Sequence, residues 1–261
     1  MWKDKTKELI DGFDADAALL VKNLKTGEVL YSHNEEMVFP SCSVIKVPIL
    51  LALMHEAENG RLNLSEAVRV SDENFIDGGL VKYMSREVSL PWIDHALFMI
   101  TLSDNASTNH IITRLGFDLV NKRIRELGLK NTILQRKMLD FETRAKGIDN
   151  ETNCTDMLIL FEHLHKNADK NAESLHILKQ QKLNSVLAGL LSSDDYEFAH
   201  KTGSLPHTLL DTGIMYLKDP IFVAFMSKNQ KKQRDAYRLA HEIGLLIYEE
   251  FETGAGAIKI T

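Results

Sequence analysis

The sequence predicts an α+β fold, a two-layer α/β arrangement in which both ends of the chain build one antiparallel sheet. Terminal helices flank that sheet, and an all-helical region is inserted in the middle. Three observations predict this. β-Prone runs gather near both ends, helical periodicity dominates the interval between them, and amphipathic helical patterns open and close the chain. Residues 1–42 and 192–261 are assigned to the sheet and terminal helices, and 43–191 to the helical region, as one structural unit.

The charged stretch Lys3 to Phe13 reads as an amphipathic helix. Ala17 to Leu24 and Glu28 to Ser32 read as strands joined by the turn residues Lys25-Thr26-Gly27. Helical periods then recur at Val44 to Glu58, Leu90 to Leu102, Ala106 to Leu115, Asp118 to Leu127, Thr155 to His165 and Asn184 to Leu191. Turn signals such as Asn59-Gly60 and Asp77-Gly78-Gly79 separate them. Strand character returns at Glu197 to Lys201, Thr208 to Leu217 and Ile221 to Ser227, and a long amphipathic helix runs from Gln230 to Phe251.

A hydrophobic share of 44% and a charged share of 26% are those of an ordinary globular protein. A formal charge of −6 argues against nucleic acid or an anionic membrane as partner. The opening residues carry no apolar stretch suited to a signal peptide or stable membrane insertion. The expectation is a cytoplasmic protein or a mature secreted form without its leader. Cys42 and Cys154 could form one disulfide, which a chain this size does not need, and Cys42 reads as a small buried hydrophobe. His163 and His165 fall on opposite sides of a helix, poor geometry for zinc, so no metal and no cofactor is expected.

Three short motifs carry chemistry. Ser43-Val44-Ile45-Lys46 puts a hydroxyl and an amine three residues apart, on one helical face. A serine needs a neighbouring base to become a nucleophile, and a desolvated lysine can serve. Taken alone, the pair is better explained as incidental on an amphipathic helix, but its flanks are strongly apolar and a buried lysine needs a reason. Pro48 is awkward so near the helix start unless the first turn is irregular. Ser103-Asp104-Asn105 stands between two helical patterns, where such residues are good caps. Functionally, Ser103 could pass a proton to a leaving nitrogen and Asn105 could hold a substrate amide. Lys201-Thr202-Gly203-Ser204 ends a strand. The same tripeptide at Lys25-Thr26-Gly27 is turn chemistry, so order and setting carry the meaning. At the second copy Lys201 and Thr202 offer donors to a carboxylate, Gly203 permits close approach, and the Ser43 and Ser204 N–H groups could form an oxyanion hole.

With these motifs, in this order, the chain resembles the class A β-lactamases, within the penicillin-recognising serine hydrolases of β-lactamase/transpeptidase-like fold. Phe39-Pro40 ahead of the nucleophile and Met99-Ile100-Thr101-Leu102 ahead of Ser103 also agree. The resemblance implies that Ser43 is acylated, Lys46 accepts a proton, Ser103 protonates the leaving nitrogen, and Asn105 with Lys201, Thr202, Gly203 and Ser204 holds substrate. It implies a small-molecule β-lactam or cell-wall peptide substrate and a monomer.

Two features depart from the pattern. The family's Glu-x-x-Leu-Asn loop is absent from Arg136-Lys137-Met138-Leu139-Asp140-Phe141-Glu142, and Met138 holds the glutamate position. Glu142 is expected as the deacylation base ahead of Asp140, with solvated loop carboxylates as the alternative, and Arg136 could pair with Asp149. No arginine lies between Ser204 and Gln233 to anchor a substrate carboxylate, leaving Lys201, Thr202, Ser204 and His207. The leading expectation is a serine β-lactamase. The alternatives are a penicillin-binding DD-peptidase or esterase with slow deacylation, and a non-catalytic binding module.

Overall fold

The computed structural model describes residues 2–192 and 196–253. Helix α1 (Trp2–Asp11) leads into the hairpin β1 (Asp16–Asn23) and β2 (Val29–His33), as the sequence predicts. A short strand β3 (Phe39–Pro40) and a 3₁₀ turn (Cys42–Ile45) precede α2 (Lys46–Glu58). The ribbon β4 (Ala67–Arg69) and β5 (Ser89–Pro91) follows, then α3 (Trp92–Thr101), α4 (Asn105–Leu115) and α5 (Phe117–Glu126). A small helix α6 (Phe141–Ala145), strand β6 (Glu151–Thr152), α7 (Cys154–Lys166) and α8 (Ala172–Lys179) complete the middle of the chain. The strands β7 (Glu197–Leu205), β8 (Thr208–Tyr216) and β9 (Pro220–Lys228) return to the sheet, and α9 (Gln233–Tyr248) closes with a π-helical turn.

The large sheet has the order β2-β1-β9-β8-β7, so β1 from the start of the chain is zipped to β9 from its end. Alternation along β1 explains why it reads as one apolar run. Ala18 and Leu20 face the helical region, while Leu19 and Val21 face α1 and α9. Helix α2 is buried on nearly every side, from Lys46 to Met54, and forms the spine of the helical region. Each fully buried Leu or Ile there contributes on the order of 1.5–3 kcal/mol relative to exposure. Pro48 is accommodated because it lies in the first turn of α2, where its missing N–H costs nothing, and a 3₁₀ turn supplies the irregular entry.

The expected helix at Asn184 to Leu191 does not form. That stretch is a run of turns whose backbone is taken by side chains from the sheet and α9: Leu187 N–H donates to Asp211 Oδ2 at 3.1 Å, and His241 Nε2 donates to the Ser185 carbonyl at 2.8 Å. Helix α8 and the two short ribbons, β3 with β6 and β4 with β5, were not expected.

Candidate active site

Strand β7 is an edge of the sheet, and its free side faces the 3₁₀ turn that carries Ser43. The β7–β8 register closes on Leu205↔Thr208 around the two-residue turn Pro206-His207. That closing pair is hydrogen-bonded, so the next pair, Ser204↔Leu209, is not, and the Ser204 N–H is directed to the open edge. The Ser43 N–H is also at the start of a helical segment. A cleft of about 270 Å³ runs here, lined by Ser43, Ser103, Thr202, Gly203 and Ser204 from the sequence motifs.

Gly203 lets the edge strand press against Cys42 and Ser43. A Cβ there would stand 2.8 Å from Cys42 Cβ and 3.0 Å from Ser43 N, closer than a side chain tolerates. Cys42 itself adopts φ 47°, an uncommon backbone state for a non-glycine residue, immediately before Ser43. Both thiols, Cys42 and Cys154, are free and buried, and burial raises their pKa values.

Lys46 is completely buried at the head of α2. Its Nζ donates to the Ser103 carbonyl at 2.7 Å, to Ser103 Oγ at 3.1 Å and to Asn105 Oδ1 at 2.9 Å. Burial holds its pKa well below the ordinary lysine value, and the Lys201 cation lowers it further against the pull of Asp104. Ser103 sits at φ 54°, in the left-handed region, and in that state both its carbonyl and its hydroxyl meet Lys46. Asp104 holds this loop as the cap of α4, accepting from Ser107 N–H at 2.8 Å and Val81 N–H at 2.9 Å. Asn105 Nδ2 donates to the Asp77 carbonyl at 3.3 Å, which orients its amide with Oδ1 toward Lys46.

Lys201, also fully buried, donates to the Thr202 carbonyl at 2.9 Å. Burial pulls its pKa down to about 7, opposed by Asp211. Lys46, Asn105 and Lys201 do not themselves line the cleft; the two amines lie buried behind it, next in contact or sequence to Ser103 and Thr202, which do. Buried amines with lowered pKa values behind a cleft that presents serine hydroxyls make an arrangement suited to acyl transfer.

Glu142, the expected deacylation base, stands apart from this cleft. It lies exposed on α6 and does not line the cleft, and none of the described residues lining the cleft is a carboxylate. Asp140 accepts the Thr143 N–H at 2.9 Å as the cap of α6, and hydrogen bonding to Thr143 holds its carboxyl below the usual range. Met138 is buried, its backbone fixed both ways by Asn109: Met138 N–H donates at 2.7 Å and Met138 O accepts at 3.1 Å. The expected pair of Arg136 with Asp149 forms, at 2.7 Å.

The sequence reading missed Leu183, Ser185, Val186, Leu209 and Tyr237, which supply the rest of the cleft. It also missed Gln233, whose Nε2 donates to Ser204 Oγ at 3.1 Å and to the Thr208 carbonyl at 3.0 Å. Nothing in the local sequence marks the first five, because they meet only through tertiary folding. His207 lines an adjoining hollow with Ser204 and donates through Nδ1 to the Gln230 carbonyl at 2.7 Å.

A family model described as the beta-lactamase enzyme family matches residues 2–251. An imipenem-hydrolysing beta-lactamase of Enterobacter cloacae is 27% identical over 154 residues, 58% of this chain and 52% of that protein. The D-alanyl-D-alanine carboxypeptidase DacF of Bacillus subtilis (strain 168) is 27% identical over 49% of this chain and 34% of its own length. The matched stretch thus spans about half, or less, of these curated relatives. Among solved structures, a variant of PBP-A described as an acyl-enzyme complex with penicillin G superposes with a TM-score of 0.85, at 25% identity, covering 95% of both chains. The match of the family model over nearly the whole length means that the chain belongs to the beta-lactamase enzyme family.

Proposed function

We infer that the protein is a serine hydrolase that reacts with β-lactams or related cell-wall peptide amides through a covalent acyl-enzyme on Ser43. The observation that carries this reading is Lys46: an amine with a depressed pKa, fully buried, three residues from a serine that lines the cleft, and bonded to Ser103 and Asn105. In the proposed step Ser43 Oγ attacks the carbonyl carbon and gives its proton to neutral Lys46. The Ser43 and Ser204 N–H groups take the developing oxyanion. Lys46 returns the proton through Ser103 Oγ to the departing nitrogen, so that the C–N bond breaks as the N–H bond forms. Lys201 and Thr202 hold the substrate carboxylate, and Asn105 its amide.

Hydrolysis of the acyl-enzyme needs an activated water, and here a second reading is favoured by a specific observation. Glu142 faces solvent and Met138 stands where the resemblance places a general base. Loss of one well-placed base costs about 10²–10⁴ in rate. This favours slow release, as in a penicillin-binding peptidase, over rapid β-lactamase turnover. Intact-protein mass spectrometry after mixing with penicillin G tests both: an adduct lasting many minutes supports slow release, one that vanishes within seconds supports the β-lactamase, and its complete absence counts against the hydrolase.

A further inference from the structure

The wall of the cleft facing Ser43 is built from residues the three motifs do not contain. Leu183, Ser185 and Val186 come from the irregular stretch before β7, with Leu209 from β8 and Tyr237 from α9. A stretch without helix or strand needs outside support to hold a fixed shape. Part of the support comes from α9, where His241 Nε2 donates to the Ser185 carbonyl at 2.8 Å, and the rest from one residue pair on the sheet.

Strand alternation divides the motif and its neighbour between two faces. Lys201 and Ala199 face the helical region, while His200 and Phe198 face α9. There His200 is buried, its ring stacked on Phe198 at 3.9 Å and 6°. Its Nδ1 lies 2.7 Å from Asp211 Oδ1 and its Nε2 lies 3.0 Å from Asn184 Oδ1, so the ring bridges two side-chain oxygens. The other Asp211 oxygen accepts the Leu187 N–H at 3.1 Å. Asn184 and Leu187 bracket Ser185 and Val186, so a buried imidazole and carboxylate grip the wall segment at both ends. Gly213, opposite His200 in the register, permits the close approach of the two strands here: a Cβ there would fall 2.3 Å from the Ala199 carbonyl oxygen and 2.4 Å from His200 Cβ.

We propose that His200, braced by Asp211, is a positioning residue for substrate: it latches Asn184 to Leu187 and so fixes the apolar wall against which an acyl donor rests. It touches no reacting atom. The kinetic part of this inference rests on the hydrolase reading above, while the structural part does not. The latch predicts a cost in substrate capture larger than any cost in chemistry, because the Lys46 and Ser103 contacts lie on the other side of the strand.

The test uses three variants of the full chain. His200→Asn can keep the Asp211 bond but falls short of Asn184, Asn184→Ala removes the other partner, and His200→Gln can still reach Asn184. His200→Asn and Asn184→Ala are expected to raise the penicillin G concentration for half-maximal acylation about tenfold, the scale of one lost hydrogen bond. The maximal acylation rate should stay within about twofold, the double variant should be no worse than either single one, and His200→Gln should recover part of the loss. Equal falls in rate and capture, or additive losses, would overturn the latch. Hydrogen exchange gives a readout independent of activity: in His200→Asn the amides of residues 184–187 should exchange faster than in the parent, whether or not either is acylated. Unchanged exchange there would also overturn it, whereas wild-type protein that resists acylation while this exchange responds would refute the hydrolase reading alone.

Discussion

Lys46 and Ser103 are joined twice, through the serine carbonyl at 2.7 Å and through its hydroxyl at 3.1 Å. The double contact forces a lysine from the start of α2 and a loop between α3 and α4 into one buried unit. Lys46→Met keeps most of the volume and removes the amine. Acylation by penicillin G should then fall by about 10²–10⁴, the usual range for a lost general base. Stopped-flow or quenched mass spectrometry would measure it, and a fall below tenfold would exclude Lys46 as the base.

Gly203 packs without slack against the turn that carries Ser43, since a Cβ would meet Cys42 Cβ at 2.8 Å. Gly203→Ala should cost about 1–3 kcal/mol of stability as an overpacked contact. It should slow acylation by more than the loss of folded protein explains, because the strand supplying the Ser204 N–H is pushed off Ser43. Thermal unfolding beside acylation kinetics separates the two effects.

Lys201 gives a pH dependence with opposite signs for folding and binding. Its folded-state pKa of about 7 lies below the ordinary 10.5, so between those values the unfolded chain binds a proton that the folded chain does not. Its contribution to stability therefore rises with pH across that window and is flat below it. Affinity for a substrate carboxylate should instead weaken as pH rises through about 7, since the ammonium is lost. Half-saturating concentrations measured from pH 6 to 9 should show this, and Lys201→Met should abolish the trend.

His110 stacks on Trp92 at 4.8 Å beside His95, and burial, with His95 and Lys137 nearby, pulls its pKa to about 4. The unfolded chain takes up the proton first, so stability present above the ordinary value of 6.5 is lost as pH falls toward about 4. Thermal melts across that range should show a slope that His110→Phe flattens.

Glu142, being exposed, should be dispensable: Glu142→Gln is expected to leave acyl-enzyme release unchanged. Met138→Glu, restoring a carboxylate at the position the family resemblance marks, should speed release, with a gain of up to about 10²-fold. Pulse–chase mass spectrometry reads both.

The sheet and most helices are legible because their patterns are local. The short apolar runs at 17–24 and 221–227, bounded by turn residues, are strands buried on both faces, and the longer apolar run after Lys46 is a central helix. Ser43, Lys46, Ser103 and Lys201 stand out in the sequence because of their motifs, and the structure brings Lys46 against Ser103 and sets Ser43 and Ser103 on one cleft. The stretch 184–191 is misread because Val186, Leu187, Leu190 and Leu191 repeat at helical spacing, while the partners that unwind it, Asp211 and His241, lie far along the chain. The exposed position of Glu142 is hidden for a related reason. A count of residues in a loop gives proximity in sequence, but the cap made by Asp140 sets how α6 leaves the loop. The cleft wall is likewise invisible until β7, β8 and α9 are assembled.

The most direct measurement is tandem mass spectrometry of peptides from protein quenched during reaction with penicillin G. The account predicts that the added acyl mass sits on Ser43 and that Ser43→Ala carries none. An adduct on another residue, or one that persists in Ser43→Ala, would contradict it.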